Sequence, residues 1–194
     1  LIVSRGLGDV YKRQVPWRRY ALLKRLGDIA MASIGIVVLS PVMLLLYGLI
    51  RLESPGNPIF VQKRVGAGGG EFTMYKFRSM VASAEGDGAK FASQNDNRIT
   101  RLGAIMRKTR LDELPQLFNV LAGSMSMIGP RPEQKALVDD LAAAIPLYRF
   151  RHVIRPGITG WAQVMQGYAD DVASTDVKLS YDCLLYTSDA ADDF

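Results

Sequence analysis

Residues 29–50, IAMASIGIVVLSPVMLLLYGLI, decide the fold. The run is apolar apart from Ser33, Ser40 and small residues. At about 1.5 Å of rise per residue, a helix of this length reaches roughly 33 Å, enough to cross a hydrocarbon core of roughly 30 Å. Ser40-Pro41 sits in its middle, where proline removes a backbone hydrogen bond and forces a kink. Basic residues flank both sides, Arg18, Arg19, Lys24 and Arg25 before it and Arg51, Lys63 and Arg64 after it, so the positive-inside rule gives no direction of crossing. A cleaved secretory signal does not fit, because the chain resumes with Arg51-Leu52-Glu53 and no small-residue cleavage site. These residues leave three readings open: a spanning helix, a buried core helix, and a helix that breaks at Ser40-Pro41 and returns to the face it entered from.

Around that segment the chain has 194 residues, 48% hydrophobic, with 24 Lys+Arg against 19 Asp+Glu and a formal charge of +5. The length allows one domain, or one domain with an accessory segment. A charged fraction of 22% with ample aromatic residues excludes an acidic disordered chain. A single cysteine, Cys183, excludes a disulfide framework and a Cys-rich zinc site, and a single histidine, His152, excludes a His-rich metal centre. Residues 1–14 (LIVSRGLGDVYKRQ) and 183–194 (CLLYTSDAADDF) do not join smoothly to their neighbours and read as translated sequencing-adapter read-through. The stretch between them, 15–182, lacks cysteine and carries 21 basic against 15 acidic residues.

Beyond the apolar segment, PIFVQKRV (58–65) and EFTMYKFR (71–78) flank the glycine cluster 66–70 and predict a β-hairpin. No Gly-Lys-Ser/Thr follows the glycines and no helix opens there, so they form a turn rather than a phosphate cradle. Residues 79–97 are small and polar, a surface loop. Ile99, Leu102, Ile105 and Met106 at helical spacing predict a helix over 98–110, with five cations between them. A second helix is expected from Asp112 to Leu121, stopping at Gly123, and a third over 133–145, ending at Pro146.

Asp112-Glu113 is the first candidate for chemistry. As the start of a helix with Pro115 in its first turn, Asp112 has an ordinary N-cap reading. Its surroundings suggest more. A carboxylate at a helix N-terminus is held ionised by the dipole, and Arg107, Lys108 and Arg110 add positive charge upstream. Such a carboxylate binds a divalent metal and attacks phosphorus once anionic repulsion is neutralised, which suits phosphoryl transfer. In Gly129-Pro130-Arg131-Pro132 the prolines stiffen the backbone around Arg131, whose planar fork suits diphosphate recognition. A helix-terminating turn is the alternative there. Lys76 and Arg78 close a strand, where edge charges for solubility are the alternative. His152, inside Arg149-Phe-Arg-His-Val-Ile-Arg155, reads as a basic-face residue rather than a catalytic base.

The pieces LSPVMLL (39–45), YKFRSM (75–80), RKTRLDELPQLFNVLAGSMSMIGPRPE (107–133) and RPGITGWAQV (155–164) stand in one order across 20–182. In that combination the chain resembles the bacterial sugar transferases, monotopic polyprenyl-phosphate phosphoglycosyl transferases of the undecaprenyl-phosphate hexose phosphotransferase type. The resemblance implies an α+β fold, mainly helical, with a small hairpin and one re-entrant membrane helix broken at Ser40-Pro41. It implies a membrane-associated segment over 15–56 and a catalytic domain over 57–182, on the cytoplasmic face of the bacterial inner membrane. The implied reaction moves a sugar 1-phosphate from a UDP-sugar to a polyprenyl phosphate and releases UMP. Asp112 and Glu113 match the family's catalytic dyad, with Asp112 as nucleophile and Mg²⁺ ligand. Lys76, Arg107 and Arg131 match its phosphate-binding cations.

Three departures accompany the match. Ser124 follows the glycine after which many relatives carry an acid, and Met165-Gln-Gly-Tyr168 stands where many have Asn-Gly-Arg. The family usually continues past Tyr181-Asp182 into interfacial helices, which makes 57–182 a C-terminally shortened domain in this expectation. Two other classes compete. A non-catalytic membrane-bound scaffold of the same fold would have lost Asp112 or Glu113, and both are present. A nucleic-acid binder needs basic residues interleaved with exposed aromatics, whereas these surround a carboxylate pair, so no nucleic acid is expected.

Overall fold

The computed structural model describes residues 17–81, 98–145 and 147–165, with Thr175, Val177, Leu179 and Asp182 in helical conformation further on. The segments 1–14 and 183–194, most of the expected polar loop, and residues 166–168 lie outside the described residues.

The apolar segment belongs to a longer helix, α1, Trp17–Glu53, of 37 residues. Among the described residues it is the one helix long and apolar enough to cross a membrane, with a mean hydropathy of 2.5 over an 18-residue window. Pro41 falls inside α1 without ending it. The reason is local: Pro41 has no N–H to donate to the carbonyl of Val37, and the hydroxyl of Ser40 donates to that carbonyl instead, at 2.8 Å. An acceptor that proline would leave bare in an apolar setting is thereby satisfied.

One stripe of α1 packs on the rest of the protein. Ala32, Ile36 and Leu39 meet Met74, Leu117, Val120 and Met125. Further along, Met43, Leu46 and Ile50 meet Phe77, Met106 and Leu114. The spacing of three and four residues keeps these positions on one helix face. Polar anchors start the stripe: Arg25 donates to the carbonyls of Val120 and Leu121 at 2.6 and 2.8 Å, and Asp28 accepts from the hydroxyl of Ser126 and the N–H of Met127. The opposite face, with Leu23, Val37, Val38, Leu44, Leu45 and Leu52, is uncovered and more than 60% exposed.

The expected hairpin forms from β1, Ile59–Val65, and β2, Glu71–Phe77, paired antiparallel with Phe60 opposite Lys76. Helix α2, Arg101–Thr109, begins at Thr100, whose hydroxyl oxygen accepts from the N–H of Gly103. It ends where expected, but the next helix does not start at Asp112. Arg110 adopts a left-handed φ of 61°, and a 3₁₀ turn, Leu111–Glu113, follows before α3, Gln116–Ala122. Asp112 is therefore not the N-cap of a helix, a position Pro115 takes without a side-chain bond. Successive i to i+3 bonds (Glu113 N–H to Arg110 O, Leu114 N–H to Leu111 O, Leu117 N–H to Leu114 O) carry the chain through this tight passage. Helix α3 stops at Gly123, φ 88°, as expected.

Strand β3, Ser126–Ile128, pairs in parallel with β4, Gly157–Thr159, a pair of three-residue strands that no sequence pattern announced. Between them lie α4, Lys135–Ala144, and the 3₁₀ segment Tyr148–His152, and α5, Trp161–Met165, follows. Backbones approach closely here: a Cβ on Gly129 would sit 2.3 Å from the carbonyl oxygen of Arg155. The fold is mainly helical with two small sheets, α+β as read from the sequence.

Candidate functional site

The site forms where β2, the 3₁₀ turn after α2 and the loop after β3 converge. Strand alternation puts Lys76 on the same face as buried Met74. The strand is located by Asn119 of α3, whose amide donates to Thr73 O at 2.6 Å and accepts from the N–H of Tyr75 at 3.0 Å. Each such bond contributes about 1 kcal/mol and fixes the register of β2 against the turn. Arg78 is no solubility charge. It is buried and donates to the carbonyls of Ser54 and Pro55, tying the end of α1 to the end of β2.

Asp112 and Glu113 are both buried, and their roles diverge at once. Glu113 Oε1 receives Arg131 Nη2 at 3.0 Å, with Lys76 Nζ and Arg110 Nη1 each at 3.6 Å. Burial acts to raise its pKa, but Arg131 first, then Lys76, the Arg131 hydrogen bond and Arg110 outweigh burial and hold it below the ordinary glutamate value. Asp112 shifts the other way. Its burial raises its pKa, Glu113 adds to the rise, and Lys76 and Arg107 oppose it. The helix-dipole stabilisation expected for Asp112 is thus replaced by desolvation opposed by specific cations. The two adjacent carboxyls are driven apart, which is how one site separates two chemical roles. Lys76 itself is pushed down to about 8, chiefly by burial and then by Arg131, against the pull of Glu113 and Asp112.

Asp112 Oδ1 is buried and has no hydrogen-bond partner among the described residues. A bare, hard carboxylate oxygen is a donor suited to Mg²⁺, which binds through one or two carboxylates together with substrate phosphates. Among the described residues no three His, Cys, Asp or Glu side chains gather to hold a metal by themselves. The donor set therefore fits an ion shared with a phosphate-bearing substrate.

Of the residues expected from sequence, Asp112, Glu113, Lys76 and Arg131 come together, and Arg107, on the last turn of α2, acts on Asp112 through its charge. Ser40 and Pro41 lie in α1 and belong to the membrane question rather than to this cluster. Two participants, Arg64 and Arg151, were not singled out, and Arg110, expected only as charge upstream of Asp112, meets Glu113. Arg110 reaches Glu113 because its left-handed backbone turns the chain back. Arg64 in β1 pairs with Glu133 at 3.4 Å and feels the charges of Arg131 and Glu113. Arg151 is fully buried beneath the Arg131 loop. His152 stacks edge-on against Tyr148, and burial followed by the Arg151 charge pushes it down to about 4, so it stays neutral at pH 7. It lines a separate cavity of about 300 Å³ with Lys135, Asp139 and Arg149, a cavity whose lining includes no dyad residue.

The bacterial sugar transferase family profile matches residues 19–190. The chain is 54% identical over 163 residues, 84% of its length, to the UDP-N-acetylgalactosamine-undecaprenyl-phosphate N-acetylgalactosaminephosphotransferase of Aeromonas hydrophila, of which the match covers 38%. It is 40% identical over 163 residues, 83% of its length, to the UDP-glucose:undecaprenyl-phosphate glucose-1-phosphate transferase of Escherichia coli, of which 35% is covered. It is 41% identical over 170 residues to the exopolysaccharide production protein PSS of Rhizobium leguminosarum, covering 83% of this chain and 84% of that one. The chain thus spans little more than a third of the first two relatives.

Proposed function

The chain belongs to the bacterial sugar transferase family, and from that premise we propose that it moves a sugar 1-phosphate from a UDP-sugar to a polyprenyl phosphate. The observation that carries the reading is the buried Asp112–Glu113 pair, one carboxylate neutralised by Arg131, Lys76 and Arg110, the other left with a bare oxygen. In the first step the Asp112 carboxylate attacks the sugar-bearing phosphorus, and the bond to the second phosphate breaks, releasing UMP. In the second, a polyprenyl phosphate oxygen attacks the same phosphorus and returns Asp112 as a carboxylate. Desolvation makes Asp112 a more basic nucleophile, while Lys76 and Arg107 offset the cost of its charge. In this reading Arg131 and Lys76, which both meet Glu113, hold diphosphate oxygens, where charge stabilisation does most of the catalysis. Asp112 would hold Mg²⁺, which when bound supplies further neutralisation of the diphosphate.

The test is UMP release by the purified chain in detergent, with polyprenyl phosphate and a panel that includes UDP-N-acetylgalactosamine and UDP-glucose. Release dependent on acceptor and Mg²⁺, stopped by chelation, is expected. No release with any donor while the protein remains folded would reduce the chain to a scaffold of this fold.

The charge on Lys76 sets a pH limit. Its folded pKa of about 8 lies below the ordinary lysine value of 10.5, so the cation that meets phosphate disappears as pH rises through about 8. The expected kcat/KM profile has a basic limb near pH 8, which Lys76→Arg removes. Stability moves oppositely: between about 8 and 10.5 the unfolded chain holds the Lys76 proton and the folded chain does not, so this group's contribution to stability rises with pH. Activity that falls while the thermal midpoint holds would separate titration from alkaline unfolding. A limb that persists unchanged in Lys76→Arg would assign it to another group.

The same reading places the protein on the cytoplasmic face of the inner membrane, with α1 entering and leaving by one side. Two observations support it. The uncovered face of α1 is apolar, while Arg25 at one end and Ile50 at the other are both seated on one body. A straight crossing would draw into the bilayer the body that packs along α1 from Arg25 to Ile50. The net charge of +5 suits an anionic leaflet and anionic substrates. With Cys183 replaced by serine, single cysteines at Lys24 and Arg51 should label from the same face of sealed vesicles. Labelling from opposite faces would establish a spanning helix.

A further inference from the structure

Arg131 is held at both ends. Its guanidinium meets Glu113 at 3.0 Å, and its backbone carbonyl accepts from Nη2 of Arg151 at 3.0 Å. Arg151 is 3% exposed, and its other terminal nitrogen donates to the hydroxyl of Tyr148. Its charge is balanced by Asp182, 3.0 Å away, from the far end of the described chain. A buried guanidinium is costly unless its charge is paired and its donors are used; Asp182 supplies the counter-charge, and Tyr148 and the Arg131 carbonyl each accept a hydrogen bond. The neighbouring peptides are fixed as well: Gly129 N–H donates to Thr159 O at 2.9 Å and Gly157 N–H to Pro130 O at 3.0 Å. Within 129–132 side chains hold two carbonyls, that of Arg131 by Arg151 at 3.0 Å and that of Pro132 by Arg64 at 3.3 Å, and the first lies on the residue whose guanidinium meets Glu113.

We propose that Arg151 is a positioning residue, which through the carbonyl of Arg131 sets the reach of that guanidinium to Glu113, with Asp182 as its counter-charge. The proposal rests on the transferase reading for its consequence in turnover, and on geometry alone for its consequence in structure. Arg151 touches neither member of the dyad in the contacts described above, so its effect on turnover passes through Arg131. Lysine at 151 keeps the charge but cannot reach Tyr148, Asp182 and the Arg131 carbonyl in the same planar arrangement. Phenylalanine at 148 keeps the ring and removes only the hydroxyl.

The experiment has two arms on the full chain. Hydrogen exchange followed by mass spectrometry should show Arg151→Lys exchanging faster over 126–134 and 155–160, with β1 and β2 unchanged, and Tyr148→Phe showing a smaller change in the same segments. In turnover, Arg151→Lys should lower kcat about 10- to 100-fold, the range of a displaced catalytic group. In an Arg131→Lys background the same change should add less than a threefold further loss, because the two act in one line. Unchanged exchange over 126–134 in both variants would overturn the proposal, and so would fully multiplicative losses in the double variant. Should Arg151→Lys fail to fold, the local exchange of Tyr148→Phe decides. Should the wild-type chain release no UMP, the transferase reading fails, and the exchange arm still judges the positioning.

Discussion

Asparagine at Asp112 should reduce UMP release by at least about 10⁴-fold, the scale of losing a covalent nucleophile. The substitution preserves size and removes only the anion. It replaces a buried carboxylate, whose Oδ1 lacks a hydrogen-bond partner, by a neutral amide, so the folded protein should be no less stable. The pairing of lost turnover with a retained thermal midpoint distinguishes chemistry from collapse. A companion measurement goes further: wild-type protein given UDP-sugar labelled in the sugar, without acceptor, should retain label, and Asp112→Asn should not. Robust turnover with no labelled protein, and kinetics requiring both substrates at once, would leave direct transfer, with Asp112 as metal ligand and Glu113 as general base.

Arg131→Lys should lower kcat/KM about 10²- to 10³-fold although charge is conserved. Arg131 places one amino nitrogen on Glu113, and a guanidinium can address a phosphate with another donor of the same plane. A lysine has a single ammonium and must choose. It also loosens the largest individual influence holding Glu113 below its ordinary pKa, so the acid limb of the rate profile should move to higher pH. A lysine variant within about threefold of wild type would leave Arg131 as a turn residue between two prolines.

What the sequence could reveal here follows from the range of the interactions. The hairpin, α2, the stop at Gly123 and the amphipathic α4 all depend on periodicity and turn residues within a few positions, and all form where expected. Asp112 failed as an N-cap because Arg110 adopts a left-handed backbone and the chain takes a 3₁₀ turn, a choice no residue type announces. Lys76, Asp112, Glu113 and Arg131 could be named because family motifs mark them, and the structure shows them converging from β2, the 3₁₀ turn and the loop after β3. Arg64 and Arg151 carried no local sign. Their partners, Glu133 and Asp182, stand 69 and 31 positions away and are found only by folding. The parallel pairing of Ser126 with Gly157 was hidden likewise, since three-residue strands are too short for alternation to register.

The packed stripe of α1 bears on how this protein can be handled and recombined. Both hydrophobic clusters described above are completed by that helix, Ala32 closing one and Leu46 with Ile50 the other. Trimming residues 17–53 to obtain a water-soluble enzyme would unroof Met125 and Met106 and strip the Arg25 bonds from the end of α3. Grafting on an unrelated anchor would fail for the same reason, since an anchor of equal hydropathy lacks the matching inner stripe. On the proposed membrane reading, attachment and catalytic architecture form one unit, and α1 answers to two solvents at once: Ala32, Gly35, Leu39 and Leu46 to protein, and Leu23, Val37, Val38, Leu44 and Leu45 on the opposite face to lipid.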